Sequence, residues 1–475
     1  MCLNQKQNST MTLIKSISGI RGTIGGKPGE NLTPNDVVKF TSAYAVWMKT
    51  KSENNKVVIG RDARLSGDMV SKLVSATLIA MGVEVIDLGL STTPTVELAV
   101  VGENAGGGII ITASHNPGQW NALKLLNHKG EFISDDDGKK ILTIVDEEQN
   151  DYSTIEKIGS YKTDDSWMVK HIDLILKLPL VSKEKIANAN FKIAVDAVNS
   201  SGGIFIPELL KALGVKNIVE LYCQPTGIFP HNPEPLPENL TAISAEVKKH
   251  KADLGIVVDP DVDRLAFVCE DGSLFGEEYT LVAVADYILK KKVGNTVSNL
   301  SSTRALRDVT ERSGGVYSGA AVGEVNVVTT MKQVNAIIGG EGNGGIIYPE
   351  LHYGRDALVG IALFLTYLAE TKVKVSELRA SYPSYFIAKN KIELKKGIDV
   401  DAILKSVHEK YISEPCNTED GLKIEFGNEW VHMRKSNTEP IIRIYAESQN
   451  EKTANELAKK MIAEIETASA ASMAI

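Results

Sequence analysis

The sequence has little cysteine. Cys2, Cys223, Cys269 and Cys416 are the only four in 475 residues, and none forms a CxxC pair. That argues against a cysteine zinc site or a disulfide framework and fits a reducing, cytoplasmic setting. A basic surplus is also missing: the net charge is −8, which speaks against nucleic acid or an anionic membrane as partner. Long apolar runs are absent. The longest, "ALVGIALFLTYLA" at 357–369, is well short of the ~20 residues of a membrane span and predicts a buried helix. The N-terminal "MCLNQKQNSTMTLIKS" has no apolar signal core, and Met11 offers a second start after a ten-residue extension.

What is present is an alternation. "KVVIG", "VEVIDLG" and "GGIIIT" are β-rich runs separated by amphipathic helical stretches. The theme recurs from "FKIAVDAVNSSGG" to "DLGIVVD", and again from "TLVAVADYILKKK" to "NAIIGGEGNGG". Such runs predict parallel sheets covered on both faces. The last stretch differs: "AKNKIEL", "LKIEFG", "WVHMRK" and "IIRIYAES" read as strands, with helices near 399–411 and 451–467 and a frayed small-residue end. The expected fold class is α/β, with three similar mixed α/β sandwich domains (12–160, 161–275, 276–384) and a C-terminal α+β domain (385–475).

Four loops bear chemistry. In "GGIIITASHNPGQWNALKLL", Ser114 follows an apolar strand directly, at the carboxyl edge where α/β sheets gather ligands. It lacks the hydrolase G-x-S-x-G elbow, and alone the stretch also reads as a strand-ending turn. In "VVDPDVDRLAF", Asp259, Asp261 and Asp263 follow another apolar strand. Three carboxylates so close repel one another unless a cation or several donors neutralise them, and hard oxygen ligands suit Mg²⁺ or Ca²⁺. Arg264 stands where an EF-hand needs glycine, which excludes that loop; a solvated acidic turn is the competing reading. "GGEGNGG" formally matches G-x-G-x-x-G, but "IIYPE" follows instead of a helix. It reads as a loop bringing Glu341 and Asn343 close to a polar ligand, or as a plain glycine turn. In "MRKSNTEPIIR", Arg434, Ser436, Asn437, Thr438 and Arg443 surround a turn between strands, as a phosphate cradle or an ordinary charged hairpin. "GRDAR" (Arg61, Asp62, Arg64) reads as an ion pair, and the Pro-rich "FPHNPEPLPENL" as a rigid connection without chemistry.

In conjunction and order, "GIRGT", "GRDAR", "TASHNP", "DPDVDR", "GEGNGG", "GRDA" and "RKSNTEP" resemble the α-D-phosphohexomutase family from about residue 12 to 467. The resemblance implies four domains around a central cleft and a Mg²⁺-dependent exchange of hexose 6-phosphate and hexose 1-phosphate through a hexose 1,6-bisphosphate. It implies that Ser114 is the phosphoserine, that Asp259, Asp261 and Asp263 bind Mg²⁺ with it, and that Glu341 and Asn343 grip sugar hydroxyls. Arg434, Ser436, Asn437, Thr438 and Arg443 would hold the substrate phosphate. Arg21 and Lys124 match cations beside the transferred group, and His115 and Arg264 join them as catalytic candidates. Arg21 does not lose its proton, so Lys124, with a pKa lowered by desolvation, is the expected proton carrier. The chain departs from several relatives in having Gly345 where they carry a histidine. The loops "SNTEP" and "GEGNGG" are closer to an archaeal-like branch. Glucosamine phosphate is the expected substrate, with mannose or glucose phosphate as alternatives and Glu324 as a candidate partner of the 2-ammonium. A non-catalytic sugar-phosphate binder and a nicotinamide enzyme are the readings from other classes. The chain is expected to be a monomer or homodimer with a small-molecule partner.

Overall fold

A computed structural model describes residues 11–16, 19–148, 151–393, 398–435 and 441–472. They divide into two compact units. One comprises residues to Glu277 together with Gly345–Ser376; the other comprises Glu278–Gly344 and Glu377 onward.

The first unit holds two sheets. The seven-stranded one runs in the order Ile14–Ser16, Gly19–Thr23, Trp120–Leu126, Gly107–Ile111, Lys56–Arg61, Glu84–Leu90 and Tyr161–Thr163. The last four are parallel. The first three join them antiparallel. The four-stranded sheet orders Leu265–Cys269, Leu254–Val258, Lys192–Asp196 and Asn217–Leu221, and only its first pair is antiparallel. The expected mixed α/β domains are thus present, with parallel strands at the centre of each sheet, and the antiparallel pairs matter. Gly107–Ile111 and Trp120–Leu126 are neighbours in the sheet, so the chain between them is a hairpin loop; so is the chain between Leu254–Val258 and Leu265–Cys269. Antiparallel pairs permit such short returns, whereas parallel ones need a crossover.

Every residue of Gly107–Ile111 and of Leu254–Val258 is buried. Helices cover both faces of the larger sheet: Val37, Phe40, Tyr44, Val70, Val74 and Leu78 pack on one, Val96, Val100 and Trp167 on the other. The apolar stretch at 357–369 is the buried helix Ala357–Thr371, in which Phe364 stacks on Phe267 with ring centroids 3.9 Å apart.

In the second unit, Tyr317–Ala320, Asn295–Asn299 and Ala336–Glu341 lie parallel. A five-stranded antiparallel sheet orders Phe386–Glu393, Ile441–Ser448, Glu429–Lys435, Leu422–Phe426 and Cys416–Asn417. Side chains alternate across it. Leu422, Ile424, Val431, Met433, Ile442 and Ile444 meet the helices Val400–Lys410 and Glu451–Ser472. The latter continues to Ser472, past the expected end near 467, and the rest of the small-residue end lies outside the described residues. The opposite face carries Lys423, Glu425, His432 and Arg434. It docks within the unit through Arg307, which grips Glu425 with two 2.7 Å bonds, and through Lys423 Nζ on the Leu300 carbonyl at 2.8 Å.

Candidate active site

Ser114 closes its hairpin in a strained conformation. Its φ of 49° lies in the left-handed region, where a side chain is disfavoured. Two buried residues hold it there. Thr112 Oγ1 accepts the Ser114 N–H at 2.9 Å and donates to Asp62 Oδ2 at 2.6 Å. Arg64, fully buried and paired with Asp62 at 2.9 Å, donates to the carbonyls of Ser114, Asn116, Pro117 and Trp120. The "GRDAR" pair is therefore no surface ion pair. It takes the place of the hydrogen bonds that a loop with no ladder partner cannot make.

The strained turn aims Ser114 Oγ at the second hairpin. Oγ donates to Asp259 Oδ2 at 2.7 Å. Val262, with φ 63°, turns that loop so that all three aspartates face one point, and each is fully buried. In each carboxylate one oxygen is tied down. Asp259 Oδ1 accepts the backbone N–H groups of Asp263 and Arg264, both at 3.1 Å. Asp261 Oδ2 accepts from Thr93 Oγ1 at 2.5 Å and Lys124 Nζ at 2.7 Å. Asp263 Oδ2 accepts from Arg355 at 2.7 Å and Lys124 at 3.2 Å. The other oxygens are left over. Asp259 Oδ2 meets only the serine, and Asp261 Oδ1 and Asp263 Oδ1 are buried with no hydrogen-bond partner among the described residues.

Buried anionic oxygens without donors are unfavourable unless a cation satisfies them. The trio can offer one oxygen each, all within 4.8 Å of one another, a donor set that fits a hard divalent ion such as Mg²⁺. The electrostatics agree. Burial and the charges of Asp263 and Asp261 push the Asp259 carboxyl well above its ordinary range. Burial acts the same way on Asp263, but Arg355, Lys124 and Arg264 outweigh it and hold that carboxyl well below the usual range.

Lys124 differs from expectation. Desolvation alone would lower its pKa, but Asp261 and Asp263 reverse the sign and raise it. In the strand register Lys124 stands opposite Gly19, where a Cβ would meet the Leu123 carbonyl oxygen at 1.9 Å. Arg21 is paired with Ala122 on the neighbouring strand and so shares the sheet face of Lys124. Arg264 is bound to Glu234 at 2.9 Å, and His115 Nε2 lies 4.0 Å from the same carboxylate. Burial, then the cations Arg264, Arg355 and Lys124, press the His115 pKa down to about 2 in spite of Asp263, so the ring is neutral.

Glu234 belongs to the Pro-rich stretch that was expected to do no chemistry. Thr93, Arg355 and Glu234 were all missed as site residues. Arg355 had a signal, the quoted "GRDA"; Thr93 and Glu234 had none, because only the fold brings Thr93 to Asp261 and Glu234 to Arg264.

The remaining candidates lie in the second unit. Glu341 Oε1 accepts from Asn299 Nδ2 at 2.9 Å and from the Gly323 N–H at 3.2 Å. The neighbouring Val322 N–H bonds Asp420 Oδ2 at 3.0 Å, and the same oxygen is 3.2 Å from Arg434 Nε. The glycine loop and the arginine are thereby joined through one turn, which Glu324 immediately follows as the first residue of the helix Glu324–Gln333. Asn343 is partly exposed. Arg434 stands directly opposite Arg443 in the antiparallel register. Ser436, Asn437 and Thr438 lie outside the described residues. The glycine loop is followed by the strand Gly345–Ile347, not a helix, which removes the dinucleotide reading.

Hairpin loops that bring a serine and three aspartates together on a mixed α/β scaffold define the phosphohexomutases, and the chain belongs to the phosphoglucomutase/phosphomannomutase family. Its alpha/beta/alpha domains I, II and III match residues 13–152, 170–272 and 276–385, and its C-terminal domain matches 370–464. The chain is thus an isomerase of the phosphohexomutase class. It is 34% identical to a phosphoglucomutase/phosphomannomutase of Thermococcus kodakarensis, over 92% of this chain and 96% of the relative. It is 33% identical to a phosphoglucosamine/phosphogalactosamine mutase of Sulfurisphaera tokodaii, over 93% and 97%. A phosphoglucomutase/phosphomannomutase family protein of Burkholderia thailandensis has the same fold, with TM-score 0.83, 25% identity and 97% of each chain covered.

Proposed function

We propose that the protein is a Mg²⁺-dependent phosphohexomutase that works through a phosphoserine at Ser114 and a hexose 1,6-bisphosphate. One observation carries this: Asp259, bonded to Ser114 Oγ, can bring a carboxylate oxygen within 4.8 Å of one each from Asp261 and Asp263, and those two residues each keep a buried oxygen with no hydrogen-bond partner among the described residues. Asp259, Asp261 and Asp263 would hold the ion, with an oxygen of the Ser114 group. Once bound, Mg²⁺ supplies charge neutralisation at the transferred phosphoryl group.

The chain's own residues do the rest. Ser114 carries the phosphoryl group and gives it to a sugar hydroxyl, and the Ser114 O–P bond breaks as the sugar O–P bond forms. The bisphosphate then turns end over end and returns its other phosphate to Ser114. Arg21, Lys124 and Arg264 add fixed positive charge where the oxygens of the transferred group gain negative charge. Lys124 can take the proton of the sugar hydroxyl only after giving up its own, and His115, its pKa pressed down to about 2, is the weaker base of the two. Glu341 and Asn343 bind sugar hydroxyls. Arg434 and Arg443, with Ser436, Asn437 and Thr438, bind the phosphate that is not reacting.

Like charges directly opposite across two strands are unfavourable; among the described residues Arg434 and Arg443 face one another with a single carboxylate, Asp420, beside Arg434, which leaves positive charge for a phosphate. Within the class we place glucosamine phosphate first. Glu324 supports that order, because it follows the turn that holds Glu341 and brings a carboxylate beside the sugar loop. The test is a comparison of rates on glucosamine, mannose and glucose phosphates with catalytic 1,6-bisphosphate. Glu324→Gln should lower the rate on glucosamine 6-phosphate by about tenfold more than that on glucose 6-phosphate; equal losses remove the assignment.

A further inference from the structure

Behind the aspartate loop lies a buried polar cluster that the chemistry above does not use. The loop is held from two helix starts. Thr93, the first residue of the helix Thr93–Gly102, donates its N–H to the Asp261 carbonyl at 2.9 Å and its hydroxyl to Asp261 Oδ2. Arg355, which holds Asp263, directly precedes Asp356, the N-cap of the helix Ala357–Thr371. Asp356 Oδ1 accepts the Leu358 N–H at 2.8 Å in that role. Its other oxygen receives two histidines.

His171 Nε2 lies 3.0 Å from Asp356 Oδ2, while His171 Nδ1 is 2.9 Å from Thr95 Oγ1 in the first turn of the other helix. His352 Nε2 is 3.3 Å from Asp356 Oδ2, and its Nδ1 is 3.3 Å from Glu97 Oε2 in that same other helix. The two helix starts are therefore tied twice, once through each histidine. Gly354 fits the arrangement: a Cβ there would meet Glu97 Oε2 at 1.8 Å.

We propose that Glu97, His171, His352 and Asp356 form a positioning network that fixes the spacing of Asp261 and Asp263 for the metal ion, by clamping together the helix starts that carry Thr93 and Arg355. The proposal rests on the metal reading above. A cluster of four ionisable groups is an unfavourable way to fill space that apolar side chains fill well, unless the geometry it imposes is used. Such supports behind metal ligands commonly set affinity by tenfold or more. Burial opposes a charge on His352, but Asp356 and Glu97 outweigh it and raise its pKa to about 10, so the clamp stays closed at neutral pH.

The test is Mn²⁺ binding, read from the free-ion electron paramagnetic resonance signal, in the wild type, His171→Asn and His352→Gln. We expect the dissociation constant to rise about tenfold in both variants, with the KM for sugar phosphate at saturating metal unchanged. Should His171→Asn fail to fold, His352→Gln decides, since that ring sits at the edge of the cluster. A variant that binds Mn²⁺ within about twofold of the wild type but melts at a lower temperature shows a merely structural role and overturns the proposal. A wild type that binds no Mn²⁺ overturns the metal reading itself, and this one with it.

Discussion

The two units treat charge in opposite ways. In the first, the carboxylates beside Ser114 are buried and largely tied: Asp62 to Arg64, Asp261 to Lys124, Asp263 to Arg355, and behind them Asp356 to His171. What is left untied is a set of carboxylate oxygens pointing at one place. In the second, Arg443 is exposed and Arg434 stands opposite it with only Asp420, 3.2 Å from Arg434 Nε, as a nearby counter-charge among the described residues. A fixed surplus of negative oxygen suits a cation that stays; opposed cations on a surface suit an anion that comes and goes. On the proposed function, chemistry and substrate grip are built from different physics.

The comparison can be broken most severely at the aspartates. Asp261→Asn should lower kcat by about a hundredfold or more. It should also abolish the rise in thermal midpoint that Mg²⁺ gives the wild type, since an ion that binds only the folded state stabilises it. A Mg²⁺-dependent midpoint that survives the substitution contradicts the assignment.

Next is Arg64→Leu. It strands Asp62 without its partner and frees four carbonyls of the serine loop, so a loss of about 3–5 kcal/mol in urea denaturation is expected; a loss below about 1 kcal/mol would mean the buried pair does not support the loop. Arg443→Gln sharpens the other side. KM for sugar phosphate should rise about tenfold with kcat little changed, because the contact is the same in ground and transition states. A matching fall in kcat would move Arg443 from grip to chemistry.

The smallest effect is in pH. His352, faced by Glu97, Asp356 and His171, has a pKa raised from 6.5 to about 10. A raised pKa means that the folded state binds the proton more tightly, so the stabilisation is complete below pH 6.5 and is lost as pH rises through about 10. The midpoint of the wild type should fall by a few degrees more than that of His352→Gln between pH 7 and 10; parallel curves would contradict it.

Much of this could be read in the sequence, for identifiable reasons. Runs such as Gly107–Ile111 announce buried strands because nothing polar interrupts them, and a serine or an aspartate trio directly after such a run is conspicuous. Two things could not be read. A run buried on both faces looks the same whether its neighbour is parallel or antiparallel, so the hairpin character of the serine loop was missed, although "LAFVC" after the aspartates does read as a strand. Partners distant in sequence were also hidden. The chain gives no hint that Thr93 would meet Asp261 or Glu234 meet Arg264, nor that two aspartates would raise the pKa of Lys124 where burial alone lowers it. The local chemistry was legible and its electrostatic setting was not, because that setting is a sum over residues that only the fold assembles.

The account stands most directly on the state of Ser114. Peptide mass spectrometry of the protein treated with hexose 1,6-bisphosphate and Mg²⁺ should find one phosphate on the peptide holding Ser114, none on that peptide in Ser114→Ala, and turnover in that variant reduced by more than about a thousandfold. Phosphate on another residue, or near-normal turnover by Ser114→Ala, contradicts it.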